Sequence, residues 1–431
     1  MNVFLVQPRM PGLESWAPPL GLLSLATVLR SHSVDCQVFD LNDGVSESCD
    51  LQAALTDTHQ LLLGITATIA NWREALRLAD GAPCPVVFGG PHPTVDPAAF
   101  ICRDNYFVVR GEGEEILPIM IRRLTAGESP LGLPGVCGRI DGELTLSDVP
   151  PPLASIDSLP IPDRTLVSLP RYRLRLDGRE ATTMLTTRGC PFSCRFCYNG
   201  FLGRSYRTRP AGHVVDEMEL LHREFSVGGI VFYDDNFTHD VSRVRAICRE
   251  IRARRLDLLW RCYARVGTLD AATLQEMRDA GCVGIVFGAE SGSPETLSRL
   301  RKGIRVEQTL AAGEMCGRVG IHGKFSLVIG FPWETEAHIQ STFSLIEKLA
   351  PNTTSLTLFT PFPGTELYNE LIAQGREIDL SVDLTHLSTP TFAPDHITGD
   401  RLMLLLAEGR HRIDRATCSD NIELAGTEEA V

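Results

Sequence analysis

The chain reads as an α/β protein in two parts: an amino-terminal doubly wound parallel sheet, then a partial (β/α)6 barrel. Three observations predict this. Apolar runs of strand length alternate with helical patterns through most of the sequence. The alternation is interrupted by a stretch rich in Pro, Gly and Asp over residues 128–180. At 431 residues the chain is long enough for two domains with extensions.

In the first 127 residues, strands are predicted at 3–6, 34–39, 61–67, 86–88 and 107–109. Helical patterns lie between or after them at 20–29, 72–78 and 115–124. The opening segment has no basic region and no small-residue cleavage site, so it reads as a strand rather than a signal peptide. Continuous apolar strands with helical crossovers imply a parallel sheet buried on both faces. Ligands of such sheets sit beyond the carboxyl ends of the strands. There the sequence places Gly89-Gly90-Pro91-His92-Pro93-Thr94 and Arg110-Gly111-Glu112-Gly113-Glu114. Glycine lets backbone come close to a ligand, and proline stiffens a turn.

Residues 128–180 include Pro150-Pro151-Pro152 and Leu159-Pro160-Ile161-Pro162, and read as a linker. Alternation resumes at 181. Strands are predicted at 182–187, 229–233, 259–264, 283–287, 324–329 and 356–359, and helices at 214–223, 241–253, 271–280, 306–316 and 337–349. Six such units fall short of the eight of a closed barrel, and active sites of these folds lie at the carboxyl ends of the strands. Residues 376–431 carry a helical pattern at 401–413 and a polar acidic tail, expected to be disordered from about residue 418.

Composition narrows the function classes. Apolar content of 43% with 22% charged residues is that of a soluble globular protein. No run of eighteen apolar residues occurs, so no membrane span is expected. Thirteen cysteines without pairing spacings point to a reducing compartment, hence the cytoplasm. A net charge of −13 weighs against broad nucleic-acid or anionic-membrane binding. The arginines between 243 and 255 fit a solvated helix face.

The sharpest motif is Thr187-Arg188-Gly189-Cys190-Pro191-Phe192-Ser193-Cys194-Arg195-Phe196-Cys197. Three thiolates on one tight loop can hold three irons of a 4Fe–4S cubane and leave the fourth iron without a protein ligand. Electron-transfer clusters normally fill all four positions with cysteine. An open position suits a metal that acts on a substrate. A structural zinc site would want four ligands, and no His or Cys follows closely after Cys197. A disulfide framework is disfavoured by the odd number.

This loop, with the aromatic Phe196 before its third cysteine, resembles the cluster loop of the radical S-adenosylmethionine (SAM) superfamily. The glycine-rich turns at 89–94 and 110–114, with Pro18-Pro19-Leu20-Gly21-Leu22, resemble the cobalamin-binding domain that precedes many radical SAM domains. The resemblance implies a cobalamin-binding domain over residues 1–127, a linker over 128–180, a radical SAM domain over 181–375 and a short helical extension over 376–431. It implies that Cys190, Cys194 and Cys197 ligate a 4Fe–4S cluster. It further implies that Phe196, Asp234, Asp235, Arg265 and Glu290 contact SAM, with the backbone of Gly330-Phe331-Pro332 near adenine. Gly89, Gly90, His92, Thr94, Gly111, Glu112 and Gly113 would contact cobalamin. The Asp-x-His-x-x-Gly motif of classical cobalamin mutases is absent: the second strand ends in Asp40-Leu41-Asn42-Asp43-Gly44. The cobalamin tail is therefore expected to be displaced from cobalt, with Thr66–Asn71 near its lower face. His92 is expected beside the nucleotide tail or in a structural role rather than as an axial ligand.

The reaction implied is reductive cleavage of SAM to a 5′-deoxyadenosyl radical, hydrogen abstraction from an unactivated carbon, and methyl transfer from methylcobalamin. Oxidative cyclisation or ring rearrangement uses the same cofactors, and the motifs do not separate these outcomes. The complete cysteine triad argues against a non-catalytic cobalamin sensor. Scattered upstream cysteines and an acidic tail argue against an RNA methylthiotransferase. The expected partners are a small-molecule substrate and an external one-electron reductant such as flavodoxin or ferredoxin, with no nucleic acid. Tyr198, Asn199, Phe201, Arg204, Tyr206 and Arg207 follow the cluster loop and are candidates to face the active-site cavity, with no individual roles assigned.

Overall fold

A computed structural model describes residues 2–10, 16–46, 48–56, 61–198, 204–384 and 386–417. Asn199, Phe201 and the tail from Cys418 lie outside the described residues. The chain divides into two compact units, one running up to Leu174 and one starting at Arg175.

The first unit contains β1 (Asn2–Gln7), β2 (Cys36–Asp40), β3 (Leu61–Thr66), β4 (Val86–Gly89) and β5 (Tyr106–Val109), all parallel. Its helices are α1 (Leu20–Ser31), α2 (Ser48–Thr56), α3 (Trp72–Ala79), α4 (Pro91–Val95) and α5 (Ile116–Thr125). The sheet order is β2-β1-β3-β4-β5, so the winding reverses between β1 and β3. Side chains alternate across a strand, which splits each apolar run between two cores. Phe4 and Val6 face one core with Phe88, Val108 and the α2 and α3 residues Leu51 and Leu78. Val3 and Leu5 face the other with Val87, Phe107 and the α1 and α5 residues Leu22, Leu29, Leu117 and Met120. Each such Leu or Phe contributes roughly 1.5–3 kcal/mol on burial.

The sequence reading assigns no strand to 128–180. The structure builds β6 (Val136–Ile140) and β7 (Glu143–Thr145) there, β6 antiparallel to β5 and β7 antiparallel to β6. Asp141 and Gly142 between them have φ of 50° and 81°, the conformation of a two-residue hairpin turn. Further along, the Tyr172 hydroxyl donates to Asp40 at 2.7 Å and Arg171 pairs with Asp43 at 2.6 Å. The proline-rich stretch is thus tied to the first unit.

The second unit is a curled half-barrel. Its strands are β8 (Arg175–Leu176), β9 (Arg179–Met184), the short β10 (Thr187–Arg188) and β11 (Arg207–Thr208), then β12 (Gly229–Phe232), β13 (Leu259–Arg265), β14 (Cys282–Glu290), β15 (His322–Ile329) and β16 (Thr353–Leu358). The main sheet runs β16-β15-β14-β13-β12-β9-β8, parallel except for the edge strand β8. The helices are α6 (Ala211–Phe225), α7 (Val241–Ala253), α8 (Ala271–Asp279), α9 (Pro294–Arg299), α10 (Val306–Val319), α11 (Glu336–Leu349), α12 (Glu366–Ala373) and α13 (Gly399–Thr417). Asp240, Asp270, Ser293 and Thr365 cap α7, α8, α9 and α12 by accepting from their first-turn amides.

In β13 and β15 every second residue is buried: Trp260, Cys262 and Ala264, and Gly323, Phe325, Leu327 and Ile329. Helices cover that face, with α10 and α11 on β15 and α13 on β16. The intervening Arg261, Tyr263, Arg265, His322, Lys324 and Ser326 are half-buried on the opposite face. The strand predicted at 182–187 is broken. It leaves the sheet after Met184, and Thr187–Arg188 forms a two-strand antiparallel ribbon with Arg207–Thr208. Among the described residues no helix is long and apolar enough to cross a membrane.

Candidate active site and cofactor loops

The ribbon β10–β11 closes the base of the cysteine loop. Three buried groups hold it there. The Asp234 carboxylate, just past β12, accepts from the Thr186 amide at 2.6 Å, the Thr187 amide at 2.8 Å and the Thr186 hydroxyl at 2.5 Å. Arg243 on α7 donates to the Thr186 hydroxyl at 2.7 Å and to the Arg209 carbonyl at 3.0 Å. Arg209 pairs with the buried Glu217 of α6. Asp234 therefore spends its oxygens on the loop base. Nothing in the sequence distinguishes it from Asp235, because only the fold shows which carboxylate the Thr186 and Thr187 amides meet.

Cys190, Cys194 and Cys197 are half-buried thiols. The Cys197 amide donates to the Cys194 carbonyl at 3.2 Å, a tight turn that brings the second and third cysteines together. Burial pushes the Cys190 thiol up, and the neighbouring Asp235 adds to it. Asp235 is itself pushed up to about 6 by burial and by Asp234. At the end of β13, the Arg265 guanidinium lies 3.9 Å over the Phe192 ring, with Nη1 3.9 Å from the Cys194 sulfur. Phe196 packs edge-on against Phe331 at 6.0 Å.

The end of β14 is shaped by an ion pair that the sequence did not signal. Glu290 has φ of 63° and its carboxylate accepts from Lys302 at 2.6 Å, both side chains buried. A side chain at Gly288 would collide with this pair, since an added Cβ would lie 2.5 Å from the Glu290 carboxylate and 2.8 Å from the Lys302 nitrogen. The next strand end is fixed likewise. Buried Glu334 accepts from the amides of Gly330 at 2.8 Å and Phe331 at 3.2 Å and from the Thr296 hydroxyl at 3.1 Å. Burial pushes its carboxyl up to about 7.

In the first unit, the turns after β3, β4 and β5 are knitted together. Gly90 has φ of 96°, and an added Cβ would lie 2.7 Å from the Thr66 hydroxyl and 3.0 Å from the Ala67 carbonyl. The Thr94 hydroxyl donates to the Gly90 carbonyl at 2.7 Å and accepts from the Gly111 amide at 3.0 Å. Glu112 accepts from the Leu153 amide at 2.7 Å. Gly89 ends β4, and Gly113 lies against Leu25. His92 is buried between Trp72 and Phe100, and burial lowers its pKa.

The donor sets of the cysteine loop and of the first unit's turns fit an iron–sulfur cluster and a polar ligand. Among the described residues no three His, Cys, Asp or Glu side chains converge on one metal ion. A cubane asks for one thiolate per iron rather than for several ligands at one point, and the loop offers three thiols in that manner. Beside the first unit's turns, His92 Nδ1 and Asn71 Nδ2 are buried with no hydrogen-bond partner among the described residues. Buried polar groups normally have partners, so two orphans beside a glycine turn suit a polar ligand.

The sequence matches the Radical SAM superfamily over residues 184–346 and the B12 binding domain over residues 13–121. It is 31% identical to an uncharacterized methyltransferase of Pyrococcus horikoshii, over 90% of this chain and 86% of that one. It is 26% identical to the anaerobic magnesium-protoporphyrin IX monomethyl ester cyclase of Rubrivivax gelatinosus, over 90% of this chain and 72% of that one. The fold is similar to the radical SAM methyltransferase TsrM of Kitasatospora setae, solved with cobalamin and a [4Fe-4S] cluster. The TM-score is 0.75 at 22% identity, covering 92% of this chain and 83% of that one. The chain belongs to the radical SAM superfamily, in the group whose members also carry a B12 binding domain.

Proposed function

We propose that this chain is a cobalamin-dependent radical SAM methyltransferase acting on an unactivated carbon of a small or medium-sized metabolite. The observation that carries the reading is the Cys190, Cys194 and Cys197 loop at the carboxyl ends of the half-barrel strands, in a chain that also has a B12 binding domain. When bound, the cofactors supply one-electron cleavage of SAM, hydrogen-atom abstraction and a methyl group for transfer.

The residues divide the remaining work. The three thiolates would hold three irons and leave one open for SAM. Arg265 would pair with the SAM carboxylate while its charge sits beside the Cys194 sulfur. Asp235 would accept from the SAM ammonium, a charge-assisted bond that favours its ionised form. Asp234 and Glu290 would act one step back, holding the loop base and the end of β14. Phe196 and the Gly330 turn would shape the adenine side. Gly90, Thr94, Gly111 and Gly113 would let the corrin and its tail approach backbone, with Gly89, His92 and Glu112 in the same turns. Asp40 at the end of β2 and Asn42 just past it are engaged with Tyr172 and with each other, and no histidine stands there to ligate cobalt. An external one-electron reductant would feed the cluster.

The similarity to the Rubrivivax gelatinosus cyclase favours one second reading, oxidative ring formation with the same cofactors. Anaerobic reconstitution with iron, sulfide and hydroxocobalamin tests both. The expected result is about four irons and one corrin per chain, with 5′-deoxyadenosine released on adding SAM and reductant. Cys194→Ala is expected to abolish that release and leave the corrin bound. Full iron without corrin would remove the methyltransferase reading.

A further inference from the structure

Arg195 lies between the second and third cysteines, and its contacts go well beyond those of an ordinary loop residue. Its amide donates to the Leu300 carbonyl at 3.1 Å, and its carbonyl accepts from the Leu367 amide at 3.2 Å. Leu300 is the residue just past α9, and Leu367 lies in the first turn of α12. Helix ends leave carbonyls and amides without intrahelical partners. The Arg195 peptide groups thus complete the end of one helix and the start of another. The guanidinium repeats the pattern. Nε donates to Glu366 at 2.9 Å, Nη1 donates to the Arg299 carbonyl at 3.1 Å, and Nη2 pairs with Glu370. The ring of Trp333 lies 6.0 Å away, stacked on Phe331, which in turn meets Phe196.

The Arg195 side chain is only 15% exposed, whereas Glu366 and Glu370 are 43% and 45% exposed. Burial on the arginine side favours a fixed fork over a loose surface pair. Both carboxylates sit on α12, remote in sequence from the cysteines.

We propose that Arg195 is a positioning residue for the cluster: it latches the segment between Cys194 and Cys197 to the ends of α9 and α12. The proposal rests on the cluster reading of the three cysteines. Groups that orient metal ligands are often as consequential as the ligands themselves. With the latch closed, the Cys194 and Cys197 thiols are held at one spacing, and an iron that leaves finds its ligands still in place.

The test is anaerobic release of iron to excess EDTA from the reconstituted full chain, followed by loss of cluster absorbance. Electron paramagnetic resonance of the dithionite-reduced cluster, with and without SAM, accompanies it. Loss of one charge-assisted hydrogen bond network predicts release about tenfold faster in Arg195→Met. Arg195→Lys, which keeps the charge but not the fork, is expected to recover part of that. Glu370→Gln, at an exposed position, is expected to accelerate release several-fold. Combining it with Arg195→Met is expected to add nothing further, because one latch is removed either way; Glu366 is kept because it also holds Arg301, at 2.9 Å. The paramagnetic signal of Arg195→Met is expected to broaden and to respond less to SAM. Release at the wild-type rate in Arg195→Met, or effects that multiply in the combined variant, overturns the latch alone. A wild-type chain that takes up no cluster overturns the cluster reading, and the latch with it.

Discussion

Asp234 makes more hydrogen bonds to the strand leading into the cysteine loop than any other side chain described above, and Asp234→Ala measures what they contribute. The carboxylate is buried and serves the Thr186 amide, the Thr187 amide and the Thr186 hydroxyl. Alanine leaves two buried amides without an acceptor, at about 1–3 kcal/mol each. The hydroxyl can rotate toward another partner and adds little. The expected loss is about 3 kcal/mol, which in a unit of about 250 residues lowers the melting temperature by about 6–12 °C. Thermal unfolding of the cofactor-free chain, followed by circular dichroism, reads this directly. Asp234→Asn keeps an acceptor for the amides and is expected to lose less than half as much. Iron loading is expected to fall in step with stability in this series, because the ribbon sets where Cys190 stands. A drop below about 2 °C in the alanine variant would refute the reasoning, since it would mean that the amides find other partners at no cost.

Asp235 is expected to behave oppositely. Its folded pKa of about 6 lies above its ordinary value, so its contribution favours folding at acid pH and is lost as pH rises through 6. Asp235→Asn is therefore expected to stabilise the cofactor-free chain by about 3 kcal/mol above that pH. A lower melting temperature than wild type at pH 7.5 would count against this. Lys302→Met strands the buried Glu290 carboxylate and is expected to cost about 3–5 kcal/mol, most of it recovered in the double variant with Glu290→Gln. Equal melting temperatures for the single and double variants would reject the pair as the cause. Gly90→Ala forces a side chain into a glycine-only backbone conformation at about 1–3 kcal/mol, before its clash with Thr66. Weaker hydroxocobalamin binding in a spectral titration is expected, and unchanged binding would show that this turn can shift freely.

Much of the architecture is legible along the chain because period and composition are local properties. The alternation of apolar runs with helical patterns marks both sheets, and parallel pairing follows from the crossovers. The cysteine spacing is local chemistry as well: three thiols stand within eight residues, a spacing that can be read without the fold. The hairpin at 136–145 also carries a local mark, the Asp141-Gly142 turn, although the prolines around it read more strongly as linker. What the sequence cannot display is which distant group meets which. Asp234 and Asp235 are neighbours with the same chemistry, yet one is buried under two amides and the other is left beside Cys190. Glu290 gives no sign in the sequence of its partner, and only the fold brings Lys302, twelve residues on, to its carboxylate beside Gly288. Arg195 looks like a spacer between ligands until α9 and α12 close on it from positions more than a hundred residues away. Hydrogen bonds and ion pairs act over a few ångströms of space rather than of sequence, so the cysteine motif could be read from the chain while the groups that hold its loop in place were decided by the tertiary fold.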